Sequence, residues 1–246
     1  MLKYTLILFI FVVIAAAARA QNSILDSTPQ ASKRKHFPYK SQIFPVVLIT
    51  TGTAMMWKGN REVNRWAPKT GTTVDDYLQY APMLGMYAAD LIGVKAQNSV
   101  WTQTKYLAFS QLLCAAVVQT LKYTVREQRP NRGMYNSFPS GHTSVAFVGA
   151  TVLYHEFKNT NRIVAYSGFI AATAVGTLRE TNQRHWISDV LAGAGIGILS
   201  ANLVYYFEPL KSWQIFSKSD KISLLPYYDG KSAGLSLSMA LNAPKL

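Results

Sequence analysis

Three short polar islands set in apolar helical sequence constrain this chain more than any other feature. They are Lys122 with Arg129-Pro130, then Pro139-Ser140-Gly141-His142, then Arg179 with His185 and Asp189. Charged and titratable groups are costly among apolar helices unless they pair with one another or bind something. A fold for this chain must therefore bring the islands to one place and pack apolar segments around them. Six such segments occur, at about 41–57, 77–94, 104–122, 142–157, 163–178 and 187–207. In the third, Leu112, Leu113, Ala116, Val117 and Leu121 recur at helical spacing. In the last, Ala192, Gly193, Ala194, Gly195 and Gly197 form a small-residue face suited to close helix packing. With 246 residues, 49% of them hydrophobic, the chain can bury one sizeable core. No internal repeat or second domain is visible. The expected fold is all-α, a bundle of about six core helices occupying residues 41–210.

The ends differ from this body. Lys3, the apolar run Leu6 to Ala18 and the small-x-small site Ala18-Arg19-Ala20 predict a secretory signal over residues 1–20. An uncleaved anchor is the alternative, although the apolar run is short for a membrane span. Residues 21–40, with Pro29, Pro38 and the run Lys33-Arg34-Lys35-His36, predict a polar linker able to touch anionic headgroups. In the tail, 211–246, Ile222 to Leu225 and Leu235 to Leu241 predict two short strands around a turn at Pro226 to Gly230. That is a small hairpin, expected to pack on the helices. No other segment supplies strands, which argues against an outer-membrane barrel.

Charge narrows the partners. Against 25 Lys plus Arg stand 12 Asp plus Glu, a formal +13, which suits an anionic substrate or an anionic membrane surface. The basic residues are dispersed and no basic helix is interleaved with aromatics, so nucleic acid is not expected as a partner. Cys114, the single cysteine, lies in an apolar stretch and is expected to be a small core residue. Most apolar segments are near or below the roughly 20 residues needed to cross a bilayer. Several are interrupted by Pro45, Pro82, Gln103, Gln111 or Gln119. If a cleaved signal started the chain outside and all six segments spanned, the islands would face the cytoplasm. A periplasmic helical domain resting on or partly in the membrane is simpler, with an integral inner-membrane protein as the alternative.

The islands carry a specific chemistry. If the third helix runs to Arg129, Lys122 and Arg129 share a face seven residues apart, and Pro130 ends the helix. Such a pair suits a phosphate, Arg as a planar fork and Lys as a point charge. Arg126 and Arg132 are read as surface or rim residues. Ser140 is an N-cap candidate, and Gly141 permits close backbone approach, so the amides of that helix start can point at an anion beside His142. His185 and Asp189 lie four apart, so the carboxylate can hold the imidazole Nδ1 and leave Nε2 as the nucleophile. Arg179 supplies a third cation, and Trp186 is a candidate pocket wall. Two histidines, three cations and one carboxylate suffice to take a phosphate group through a covalent phosphohistidine. A metal reading of His142, His185 and Asp189 also exists, but three nearby cations would repel a metal ion.

The pattern Lys-x6-Arg-Pro, Pro-Ser-Gly-His, Arg-x5-His-x3-Asp, in that order over Lys122 to Asp189, resembles the type 2 phosphatidic acid phosphatase (PAP2) and vanadium haloperoxidase superfamily. The likeness in helical layout covers roughly residues 40 to 207. One departure is visible: the third motif usually begins Ser-Arg, whereas Leu178 precedes Arg179 here. The resemblance implies that His185 attacks phosphorus with Asp189 orienting it. It implies that His142 protonates the leaving alkoxide and later helps water attack. Lys122, Arg129 and Arg179, with the amides of Ser140 and Gly141, would hold the equatorial oxygens, and no metal or other cofactor would be required. The expected protein is a bacterial-envelope phosphatase, exported, periplasmic and membrane-associated. Its expected substrate is a phosphorylated membrane lipid: phosphatidic acid, phosphatidylglycerophosphate, an isoprenyl pyrophosphate or lipid A. The alternatives are a broad-specificity soluble acid phosphatase, a vanadate-dependent haloperoxidase and, outside enzymes, a lipid-phosphate binding protein. Substrate choice is expected in the loops at 58–76, 95–103 and 131–138, and oligomeric state stays open.

Overall fold

A computed structural model describes residues 39–58 and 71–206 and, as backbone strands, residues 222–228 and 233–239. Its helices are α1 (Tyr39–Lys58), α2 (Val74–Leu78), α3 (Ala81–Leu91), α4 (Val100–Val125), α5 (Gly141–Phe157), α6 (Arg162–Thr181) and α7 (Ile187–Tyr206). All six expected segments are therefore helical, the second divided into α2 and α3 just before Pro82, which stands at the start of α3. The expected signal at 1–20 lies outside the described residues. So does the linker, apart from Tyr39 and Lys40, which already begin α1.

The small residues of α7 set the architecture. A Cβ on Gly193 would lie 2.6 Å from the Ser140 carbonyl oxygen, and one on Gly197 would lie 2.5 Å from that of Ser144. On another side, Gly195 meets the Pro45 carbonyl at 2.6 Å, and Gly52 of α1 meets the Ser188 carbonyl at the same distance. Backbones this close exclude any side chain, so α7 lies directly against both α1 and α5. Gly176 of α6 admits Val190 of α7 at 2.8 Å, and Gly168 admits Leu153 and Ala150 of α5. Ile49, Met86, Val118, Leu121, Phe138, Val148, Val152, Phe157 and Ile196 fill the core around α7, together with Cys114. Burial of this apolar surface is the main force holding the bundle. One described helix, Ile187–Tyr206, is long and apolar enough to cross a membrane, and most of it is buried inside the protein.

The tail forms a separate compact unit. Its strands β1 (Ile222–Tyr228) and β2 (Ala233–Met239) pair antiparallel, with Ile222 opposite Met239 and Leu224 opposite Leu237. Two strands were expected here, but β1 runs on through Pro226, Tyr227 and Tyr228, residues expected in the turn. Pro226 pairs opposite Leu235, a place proline tolerates because each strand of a two-stranded sheet is an edge.

Candidate active site

The second island opens α5. Ser140 is the N-cap, with extended backbone angles, and its Oγ accepts from the Thr143 amide at 3.5 Å and pairs with Thr143 Oγ1 at 2.8 Å. A Cβ on Gly141 would find only Lys122 Cε, at 4.0 Å. Lys122 therefore lies over this first turn, where unpaired amides and the helix dipole favour an anion.

The third island faces the same turn. His185 and Asp189 are almost wholly buried, and Nδ1 of the histidine lies 3.3 Å from Oδ2 of the aspartate. That oxygen also accepts from the Trp186 amide at 2.9 Å and from the Ser137 hydroxyl. Three donors fix the carboxylate and so fix the ring that it orients. The Ser140 amide donates to the Asp189 carbonyl at 3.0 Å, tying the start of α5 to the start of α7. Burial, the dominant cause, pushes the His185 pKa down to about 4, with Lys122 and Arg179 adding to it and Asp189 opposing. The imidazole is neutral at pH 7, as a nucleophile must be.

The first island differs from its expected form. The helix α4 ends at Val125, four residues before Arg129, because Arg126 adopts a left-handed conformation (φ 50°). Lys122 and Arg129 therefore do not share a helical face. Pro130 does not end the helix; it restrains Arg129, the residue before it, to non-helical backbone. A loop instead returns Arg129 to the site. Its amide donates to the Met134 carbonyl, and its Nε donates to Asn136 Oδ1 at 2.9 Å. The Asn136 carbonyl accepts from Lys122 Nζ at 2.6 Å, so one asparagine places both cations. Arg126 and Arg132 are exposed, as rim residues would be. Burial lowers the Lys122 pKa to about 8, with Arg129 the next cause and Arg179 a smaller one. Arg129 is lowered in the same way, by burial first and then by Arg179 and Arg184. Lys122 is thus lowered by Arg129 and Arg179, and Arg129 by Arg179 and Arg184, a gathering of like charge that suits an anion site.

Arg179 is 3% exposed and is held from a direction the motifs do not reveal. Its NH1 donates to Asp75 Oδ2 at 2.6 Å and to Asp76 Oδ1 at 3.1 Å. Asn182 Nδ2 donates to Asp75 Oδ1 at 3.0 Å and to the Thr72 carbonyl, and its Oδ1 accepts from the Thr72 amide. The Nε of Arg179 is buried with no partner among the described residues, an unmet donor within the cluster of cations. His142 Nε2 lies 2.9 Å from Asp76 Oδ1. Burial lowers the His142 pKa, Arg179 lowers it further, and Asp76 works against both. Asp75, Asp76, Asn136 and Ser137 were not anticipated. The Trp186 indole N–H bonds the Gln128 carbonyl at 2.8 Å.

Of the loops expected to govern selectivity, 71–76 and 131–138 border the site, while 59–70 lie outside the described residues. Residues 95–103 do not border it. The Asn98 amide and side chain bond Glu156, near the far end of α5, about 20 Å along the helix from His142 at 1.5 Å per residue. An apolar cavity of about 1090 Å³ lies between α1, α5, α6 and α7, lined by Phe44, Leu48, Phe147, Phe169 and Ile198 among others. No cage residue lines it, but Glu180 and Ile187 do, next in sequence to Arg179 and two residues from His185. Among the described residues no group of three or more histidine, cysteine, aspartate or glutamate side chains is arranged to hold a metal ion.

The model of the PAP2 superfamily matches residues 103–213. A lipid A 1-phosphatase of Porphyromonas gingivalis is 33% identical over 140 residues, which cover 56% of this chain and 32% of that protein. A PA-phosphatase related-family protein of Dictyostelium discoideum is 31% identical over 129 residues, 46% of this chain and 44% of that one. The chain thus spans less than half the length of these curated relatives. Among solved structures, Aquifex aeolicus LpxE is 23% identical, with a TM-score of 0.46, covering 59% of this chain and 94% of its own. All three islands, from Lys122 to Asp189, lie inside the matched stretch, so the part of the chain that carries them is similar to the PAP2 superfamily.

Proposed function

We propose that this chain is a metal-independent phosphatase of a membrane-lipid phosphate, working through a phosphohistidine, in the bacterial envelope. The observation that carries the reading is the buried His185–Asp189 pair set beside the cations Lys122, Arg129 and Arg179, with Lys122 lying over the helix start at Gly141. Asp189 holds the Nδ1 proton of His185, and Nε2 attacks phosphorus in line with the leaving oxygen. Lys122, Arg129, Arg179 and the amides of Ser140 and Gly141 stabilise charge on the equatorial oxygens throughout transfer. His142 delivers a proton to the leaving alkoxide and then takes one from the water that cleaves the phosphohistidine. Burial and Arg179 keep His142 short of a proton in the resting site, and an arriving phosphate dianion reverses that bias. The apolar cavity between α1, α5, α6 and α7, whose lining includes Glu180 next in sequence to Arg179, supports a lipid as the bearer of the phosphate.

Phosphate release without added metal, by the protein and its His185→Ala variant, on lipid phosphates and soluble esters tests this reading. A preference for one lipid, abolished in the variant, is expected. Equal rates on soluble esters would favour a broad-specificity acid phosphatase. No release from any substrate, with phosphate still bound, would make the chain a lipid-phosphate binding protein.

A further inference from the structure

Resting on the phosphatase reading above, the geometry points to Asp76 as a specificity-determining residue that favours an uncharged alcohol as leaving group and so selects a phosphomonoester over a diphosphate. Two adjacent carboxylates reach Arg179 from α2, and they differ in kind. The Asp75 side chain is 2% exposed and is fixed by Arg179 and Asn182. Asp76 is 42% exposed, and its Oδ1 is shared between Arg179 NH1 at 3.1 Å and His142 Nε2 at 2.9 Å. Oδ2 of Asp76 makes no hydrogen bond to the described residues. The first carboxylate anchors a cation; the second stands where the cage meets the acid.

A leaving oxygen that takes the proton of His142 must approach the nitrogen that Asp76 now occupies. With a monoester that oxygen departs as a neutral alcohol once protonated and brings no second negative charge toward Asp76. With a diphosphate the leaving group is itself a phosphate and stays ionised after one proton is transferred. Lys122, Arg129 and Arg179 are committed to the transferred phosphoryl group, so the second phosphate meets a carboxylate. Like charges a few ångströms apart in a half-buried site disfavour that complex by a factor of about ten or more.

The test compares kcat/KM of the whole enzyme, Asp76→Asn and Asp76→Ala on phosphatidic acid and farnesyl diphosphate in the same mixed micelles. The wild type should prefer the monoester by about tenfold or more, and both variants should narrow that ratio by about tenfold, chiefly through a lower KM for the diphosphate. Binding to a His185→Ala enzyme gives a second readout without turnover: adding Asp76→Asn should tighten inorganic pyrophosphate about tenfold more than inorganic phosphate. A ratio unaltered in both variants, or equal changes in the two affinities, overturns the role of Asp76. Release from neither substrate overturns the phosphatase reading itself, an outcome distinct from release with an unaltered ratio.

Discussion

Gly193→Ala perturbs the contact that sets α7 against the helix start carrying His142. A Cβ at this position would lie 2.6 Å from the Ser140 carbonyl oxygen and 3.4 Å from the Ser140 carbonyl carbon and nitrogen. The obstacle is backbone, so no rotamer relieves it, and the helices must part by roughly half an ångström or more to restore normal packing. Overpacking of this kind costs about 1–3 kcal/mol. Alanine recovers about 0.5–1 kcal/mol of helix propensity over glycine. The net loss of about 1–2 kcal/mol lowers Tm by roughly 2–8 °C in a chain of this size. Gly85 of α3 is the matched control, because a Cβ there meets nothing within 4 Å. Gly85→Ala should raise Tm by roughly 1–4 °C, since only the propensity gain applies. The displaced segment is Ser140, whose amide and carbonyl frame the first turn of α5, so turnover should fall about 10- to 100-fold in Gly193→Ala. Thermal melts and kcat/KM on purified variants read both effects. Equal stability of the two variants, or a Gly193→Ala enzyme with wild-type turnover, would refute the reasoning.

Asp189→Asn keeps the size of a buried carboxylate that accepts from Ser137, Trp186 and His185. It should cut kcat by about 10³–10⁴ through loss of the His185 tautomer, and a loss below tenfold in steady-state rates would remove the orienting role. Lys122 has its pKa lowered to about 8 by burial and by Arg129, so kcat/KM should fall as pH rises through 8. Lys122→Arg should abolish that basic limb because guanidinium stays charged, and a limb that persists in the variant would assign it to another group. His155 and His185 each have a pKa lowered by burial from 6.5 to about 4. The unfolded chain binds their protons first as pH falls, so this stability is complete above pH 6.5 and declines toward pH 4, by up to about 3 kcal/mol for each ring. Denaturant melts at pH 7 and pH 5 check the sign, and equal midpoints would contradict it.

The sequence made the helices and the cage legible to different depths. Apolar segments of helical length became α1 to α7 because core burial and helix period agree over long stretches, and the glycines of α7 announced close contact before any partner was known. The end of α4 was not legible. A left-handed Arg126 has no composition signal, and the proline that seemed to stop the helix lies five residues beyond its true end. The pair His185 and Asp189 was readable because their contact is local, four residues along one chain. Asp75 and Asp76 were not, because they meet Arg179 across about 100 residues and two acids in a short connecting segment look like any solvated helix start. Asn136 and Ser137 were hidden in the same way: their roles depend on a loop path that only the assembled helices dictate.

The bond from the Ser140 amide to the Asp189 carbonyl joins the helix start that carries His142 to the residue that holds His185, with Gly193 pressed against Ser140. The separation of His185 from the helix start at Ser140 is therefore held by a backbone bond and a backbone contact, and by no flexible side chain. The segment bearing Asp75 and Asp76 is joined to this piece differently, through the side chains of Arg179, Asn182 and His142, so a substitution there leaves the backbone tie intact.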